Sequence, residues 1–236
     1  MNKGAIMETR ALRPRGPLNS VVRVPGSKSH TQRALIAASL ADGGSRLEAP
    51  LFSEDTRLLA AALRRLGAEI VAEGGDLTVR GCRGIPAAPE GELFLGNNGT
   101  AMRFLLSVAA LGRGKYRITG DPRLCERPVG SLAEALNQLG VTIETQNGCP
   151  PVVVHAAGMR GGIAELADLR SSQFVSSLLL ATPYADRDVE IVLKGNTVSE
   201  PYIDMTIGVM ADFGVSVLRE EAHRYRVPAG QRYRGR

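Results

Sequence analysis

Three glycines fix the frame of this chain. The segments Leu66-Gly67-Ala68-Glu69-Ile70, Leu139-Gly140-Val141-Thr142-Ile143 and Phe213-Gly214-Val215-Ser216-Val217 share one pattern, with the glycines 73 and 74 residues apart. Each fits a left-handed helix stop that leads straight into a strand, because glycine reaches positive φ without a Cβ penalty. A second landmark keeps the same period: Ser29, Thr100 and Ser172, each opening an apolar helical run, stand 71 and 72 residues apart. Two landmarks on one period predict a threefold repeat, whose units cannot bury their apolar faces alone and so pack around a shared core. Approximate threefold symmetry would then bring three polar helix starts close together.

Each copy reads as βαβαββ. The first runs through a strand at Val21–Val24, a helix to about Ala41, a strand at Ser45–Ala49 and a helix from the acidic start Ser53-Glu54-Asp55-Thr56 to Leu66. Strands at Ala68–Ala72 and Asp76–Arg80 close it around Glu73-Gly74-Gly75. The second has strands at Glu92–Leu95, Lys115–Thr119, Val141–Thr145 and Pro151–His155, with helices at Ala101–Leu111 and Pro128–Leu139. The third begins near Ile163–Leu169, with a helix after Arg170-Ser171-Ser172-Gln173, a strand at Asp188–Lys194 and a helix at Pro201–Phe213. Strands at Val215–Arg219 and Arg224–Val227 finish it. The copies divide at about 20–83, 84–160 and 161–231. Residues 1–19 form a polar, Pro-rich N-terminal segment with a strand-like piece at Thr9–Leu12.

Composition narrows the chemistry. The 236 residues are 44% hydrophobic and carry a formal charge of +5, which suits a soluble protein acting on small acidic ligands. The arginines are scattered and no aromatics are interleaved with them, which argues against nucleic acid. The locally basic tail Arg224–Arg236 reads as a solvated charge run. Cys82, Cys125 and Cys149 are odd in number, without metal-ligand spacing, and His30, His155 and His223 lie far apart, so free thiols, a reducing cytoplasmic setting and no metal are expected. Nothing at the start reads as a signal peptide, and no segment reaches membrane-spanning length.

The chemistry gathers at the repeat landmarks. Pro25-Gly26-Ser27-Lys28-Ser29 precedes a helix whose unpaired N–H groups and dipole favour an anion beside Lys28, Ser29 and Arg33. An N-cap with solvated cations is the plainer alternative. It is not a P-loop, because Ser27 separates the glycine from the lysine; neither G-x-G-x-x-G after a strand nor a G-x-S-x-G elbow is present. The second start offers Asn97, Gly99, Thr100 and Arg103, although Asn97 would also serve as a cap and Gly99 as a turn. The third offers Ser171, Ser172 and Gln173. Arg127, just before Pro128, suits a bidentate carboxylate or phosphate contact. Ser199, Tyr202 and Asp204 open the last helix. Together these groups fit a ligand carrying both phosphate and carboxylate.

The same segments resemble the enolpyruvyl transferases, and within them the 5-enolpyruvylshikimate-3-phosphate synthases. Gly96-Asn97-Asn98-Gly99-Thr100-Ala101-Met102-Arg103 is similar to that family's GNAGTAMR segment. Pro25–Ser29 with Arg33-Ala34-Leu35, Glu126-Arg127-Pro128, Ser171–Phe174 and Ser199–Asp204 also match it in order. The resemblance implies an α/β fold, an inverse α/β barrel-like domain of three βαβαββ units. It implies transfer of the enolpyruvyl group of phosphoenolpyruvate to the 5-hydroxyl of shikimate 3-phosphate, through a tetrahedral intermediate and without metal or other cofactor. Lys28 would be catalytic and touch both substrates. Ser29, Arg33, Ser171, Ser172, Gln173, Ser199 and Tyr202 would bind shikimate 3-phosphate, while Asn97, Gly99, Arg127 and Gln173 would line the phosphoenolpyruvate site.

Departures matter too. Asn98 replaces the family's common Ala and Phe104 its common Pro, both beside the site where phosphoenolpyruvate and glyphosate compete. Family members run to about twice this length, so the expectation is a monomeric half-enzyme, lacking the second domain and unable to turn over alone, that works with a separate C-terminal half. The related transferase acting on UDP-N-acetylglucosamine has Lys-Asn where Lys28-Ser29 stands, and Cys125 lies too near Arg127 to match its reactive cysteine. A non-catalytic binding relic is the reading from another class.

Overall fold

A computed structural model of the chain describes residues 11, 16, 17, 19–167, 171–195, 199–221 and 223–236. Of the expected strand at Thr9–Leu12 only Ala11 is described, and the third-copy residues Asp168–Arg170 lie outside the described residues. In chain order the first unit holds α1 (Lys28–Leu40), β1 (Gly44–Leu47), α2 (Glu54–Arg65), β2 (Glu69–Glu73) and β3 (Asp76–Arg80). The second holds β4 (Glu92–Phe94), α3 (Gly99–Ala110), β5 (Arg113–Thr119), the short α4 (Pro122–Cys125), α5 (Gly130–Gln138), β6 (Thr142–Gln146) and β7 (Cys149–Ala157). The third holds β8 (Gly162–Leu166), α6 (Ser172–Ala181), β9 (Val189–Leu193), α7 (Glu200–Asp212), β10 (Leu218–Glu221) and β11 (Arg224–Val227).

The three glycine stops are superimposable in their bonding. Gly67, Gly140 and Gly214 take φ of +100°, +88° and +83°. After each, the next residue's N–H returns to the helix: Ala68 to Leu63 O, Val141 to Leu136 O and Val215 to Met210 O. These bonds satisfy carbonyls that the ending helix leaves open.

Three helices form the centre. From Thr31 to Leu40 every residue of α1 is buried, and α3 and α6 are buried along nearly their whole length. A helix apolar on all sides belongs inside, so the sheets lie outside these helices. Each sheet gives one face to the core: Leu77 and Val79 of β3, and Val189, Ile191 and Leu193 of β9, are buried, while β3's other residues are not. Sheets two and three are ordered β4-β5-β7-β6 and β8-β9-β11-β10, and in each the leading strand pairs parallel with its neighbour.

The first sheet, β1-β3-β2, lacks its leading strand. Val21–Val24, expected as that strand, pairs with no strand among the described residues and lies exposed, Val21 completely so. Three valines around Arg23 do not make a strand without a ladder partner. The outer edge of β1, together with Asp42 two residues before it, is occupied by residues 233–236. Asp42 N–H donates to Tyr233 O (2.9 Å), Gly235 N–H to Asp42 O (2.8 Å) and Arg46 N–H to Arg236 O (2.8 Å), with Asp42 and Arg234 bridged in parallel. The tail is therefore not the solvated run expected from its charges. Tyr233 is fully buried, its hydroxyl donating to Leu180 O (2.9 Å), and Tyr184 donates to Leu40 O (2.6 Å) while accepting from Tyr233 N–H. Two phenols thus cap the ends of α6 and α1, which the sequence's arginines obscured.

Candidate active site

Three polar N-caps open the central helices. Ser27 Oγ accepts from His30 N–H, Asn98 Oδ1 from Ala101 N–H and Ser171 Oγ from Gln173 N–H. Lys28 and Ser29 follow the first, Gly99 and Thr100 the second, Ser172 and Gln173 the third. Two contacts tie the first start to the second: Lys28 Nζ lies 2.7 Å from Asp55 Oδ2, and Asn98 Nδ2 donates to Asp55 O at 2.8 Å. Asp55 was visible in the sequence only as acid in a helix start. Its side chain steers the exposed ammonium of Lys28.

Arg33 ties the first start to the third unit. Its Nε donates to Thr206 Oγ1 (2.7 Å), Nη1 to Ser29 O (2.9 Å), and Nη2 to Ser176 Oγ (3.1 Å) and Tyr202 O (3.4 Å). A guanidinium has five N–H groups, so one Nη1–H remains. The group sits within 5.2 Å of the Phe104 ring centre and 5.8 Å of Tyr202's, and Arg33 is only 1% exposed. Burial pulls its pKa down to about 10, with Tyr202 opposing the shift. Thr206 and Ser176 are the functional partners that sequence reasoning missed; on their own helices they read as ordinary small polar residues.

Arg103 ties the second start to the third. Nη1 donates to Gln173 Oε1 (2.5 Å), Nη2 to Pro128 O (3.1 Å), and the guanidinium lies 5.1 Å from the Phe174 ring centre. Burial, and then the nearby charge of Arg127, lower Arg103 to about 10. Its Nε is buried without a partner among the described residues. Arg127 falls between α4 and α5 and lies directly over Gly99, where a Cβ would overlap its Nη1 and come within 3.1 Å of Cδ. The missing Cβ of Gly99 thus lets Arg127 rest against the start of α3.

Lys28, Arg33, Arg103 and Arg127 thus lie around the three helix starts, the exposed Lys28 paired with Asp55 and the buried Arg33 and Arg103 held by neutral groups. Tyr202 and Asn97 are exposed beside them, and Ser171 and Gln173 are half-buried. Ser172 is buried. Ser199 is exposed, with φ +67° and ψ +49°, and makes no side-chain cap bond; a non-glycine residue in that region is a strained position of the kind that clusters at sites. A groove of about 620 Å³ follows His30, Thr31, Ala34 and Arg46 instead, beside the β1 edge. No described helix is long and apolar enough to cross a membrane.

The sequence profile of EPSP synthase (3-phosphoshikimate 1-carboxyvinyltransferase) matches residues 12–236. The chain belongs to the EPSP synthase family. It is 44% identical over 232 residues to the 3-phosphoshikimate 1-carboxyvinyltransferase of Shewanella loihica, covering 96% of this chain and 54% of that protein. The corresponding figures for the Methanoculleus marisnigri protein of the same name are 45% over 224 residues, 94% and 53%. An EPSP synthase structure from Acinetobacter baumannii superposes with a TM-score of 0.81 at 28% identity, over 91% of this chain and 48% of that one. The chain spans about half the length of these relatives. The expected enolpyruvyl transferase fold is thereby shown, with the first leading strand as its correction. Both departures from the family motif acquire local roles in this EPSP synthase-family chain: Asn98 caps α3 and anchors it to α2, and Phe104, fully buried, lies against Arg33.

Proposed function

We propose that this chain provides the shikimate 3-phosphate-binding half of an enolpyruvyl transferase. The observation that carries the reading is the gathering of Lys28, Arg33, Arg103 and Arg127 around three helix starts, where Asp55, on Lys28, is the one carboxylate bonded to them among the described residues. Such an excess of positive charge suits a ligand with phosphate and carboxylate groups. Ser171, Ser172 and Ser199 bind the shikimate phosphate, Ser29 and the spare N–H of Arg33 the carboxylate side, and Tyr202 packs on the ring. Asn97, Arg127 and Gln173 with the backbone at Gly99 receive phosphoenolpyruvate.

In the reaction the 5-hydroxyl gives up its proton to a base as its oxygen attacks C2 of phosphoenolpyruvate, and a proton is delivered to C3, so that the adduct gains R–O at C2 and H at C3. The tetrahedral adduct then loses that proton equivalent from the methyl group and expels inorganic phosphate. Lys28, held by Asp55, stabilises the charge that builds at the bridging oxygens. Catalysis requires water to be excluded and the charge shell completed, so the chain alone, a monomer in the cytoplasm, binds but does not turn over.

Calorimetric titration tests this directly. Shikimate 3-phosphate is expected to bind, shikimate at least tenfold more weakly, and UDP-N-acetylglucosamine not to raise the melting temperature. Stabilisation by the sugar nucleotide, or no heat from shikimate 3-phosphate with a folded chain, overturns the assignment. Adding the C-terminal half of a full-length relative is expected to bring phosphate release; release from the chain by itself would refute the half-enzyme reading.

A further inference from the structure

Arg103 does more than add charge. A guanidinium can only donate, so the atom of the Gln173 amide lying 2.5 Å from Nη1 must be its oxygen. The Nε2 end is consequently turned away from Arg103, and among the described residues nothing accepts its two N–H groups. A free glutamine could flip and present an acceptor to the site instead. Here the flip would set NH2 against a buried guanidinium, donor against donor.

The guanidinium itself is fixed on three sides. Nη2 is bound to Pro128 O and the plane faces Phe174. Arg103 is 7% exposed, so water cannot readily replace either partner. The carbonyl that it holds belongs to the residue after Arg127, whose side chain rests on Gly99. One buried cation from α3 thus sets a group from α6 and the turn after α4.

We propose that Arg103 is a positioning residue that locks Gln173 in its donor-outward state, so that this part of the site recognises anionic oxygen and rejects donors. The inference rests on the reading of Gln173 as a ligand-facing residue under the proposed function. Its chemical consequence is selectivity for phosphate and carboxylate oxygens over amines and amides at that position.

The test is a double-mutant cycle on the full chain, read by calorimetric titration with shikimate 3-phosphate. Arg103→Met is expected to weaken binding about tenfold, and adding Gln173→Ala to it to change affinity by less than twofold, because the amide has already lost its orientation. Arg103→Lys, which still donates to Oε1, is expected to recover part of the loss. Independent losses that multiply in the double variant overturn the proposal. Gln173→Glu guards against a fold defect: it keeps a partner for Arg103 but removes both N–H donors, so it is expected to stay folded and lose at least tenfold in affinity. Unchanged binding by Gln173→Glu also overturns it. The Gln173 side-chain NH2 resonances supply a readout that needs no ligand. They are expected to move in Arg103→Met and to remain near the wild-type position in Arg103→Lys; no movement in Arg103→Met defeats the proposal. Failure of the wild-type chain to bind, with these resonances behaving as expected, counts against the proposed function and leaves the Arg103–Gln173 lock standing.

Discussion

Thr206→Val isolates the hydrogen bonds around Arg33 from the packing around them. Thr206 is fully buried, and its Oγ1 lies 2.7 Å from Arg33 Nε and 2.8 Å from both Ser176 Oγ and Tyr202 O. Valine keeps the shape but removes the oxygen, leaving a buried N–H of a charged group without an acceptor. Hydrogen bonds to charged groups contribute about 1.5–3 kcal/mol, and an orphaned donor costs its desolvation. A loss of about 2.5 kcal/mol is expected, which for a chain of this size lowers Tm by roughly 5–10 °C. Thr206→Ser keeps the oxygen and deletes one methyl, for about 1 kcal/mol. Packing alone would rank serine as the worse substitution; the Arg33 network reverses that order. Urea denaturation followed by circular dichroism gives both values, with an unchanged m-value as the check on comparability. If Thr206→Val is as stable as Thr206→Ser or more so, the oxygen does not hold Arg33 and the argument fails.

Other perturbations act on separate features. Gly99→Ala forces the flexible side chain of Arg127 aside, so stability should change by less than about 1 kcal/mol while phosphoenolpyruvate affinity falls about tenfold; titration and urea midpoints measure the two. Gly84 takes φ +74° with its missing Cβ overlapping the Tyr184 ring, and Gly84→Ala should cost about 3 kcal/mol or more from left-handed strain plus overpacking, seen as a lower urea midpoint. Asp76 and Asp188 titrate below the ordinary aspartate value because backbone N–H groups of Ala49 and Ala229, then Arg46 and Arg226, bond their carboxylates. A depressed folded pKa means stability that is present above the unfolded value of about 3.9 and is lost as pH falls through the folded one. Replacing both with Asn should flatten the acid limb of the stability–pH curve, and an unchanged limb would remove these aspartates from the account.

The repeat was legible because its signals are local. A glycine stop needs only its own helix, and the alternation in β3 or β9 needs only its own strand. What depended on partners distant in sequence was not legible. Val21–Val24 has the composition of a strand, but the β1 edge goes to residues almost two hundred positions later. Arg33 was recognisable as a cation at a helix start, yet its burial follows from Phe104, Ser176, Tyr202 and Thr206, drawn from three other helices. Asp55 was read as helix-start chemistry because nothing in its neighbourhood shows that Lys28 will lie beside it. The short α4 was missed since four residues leave no periodicity to detect.

The ladder between the tail and β1 also sets an order on biosynthesis. The second unit finds its sheet partners within a contiguous stretch, whereas the contact of Arg236 N–H with Ser45 Oγ spans 191 positions. At translation rates of about 5–20 residues per second, the edge of β1 waits roughly 10–40 s for its neighbour. During that interval it displays unpaired N–H and C=O groups, the template on which strands from other nascent chains can pair. The interval in which the β1 edge can recruit other strands therefore closes only when residues 233–236 have left the ribosome, and slowing translation between β1 and that segment should raise dependence on chaperones.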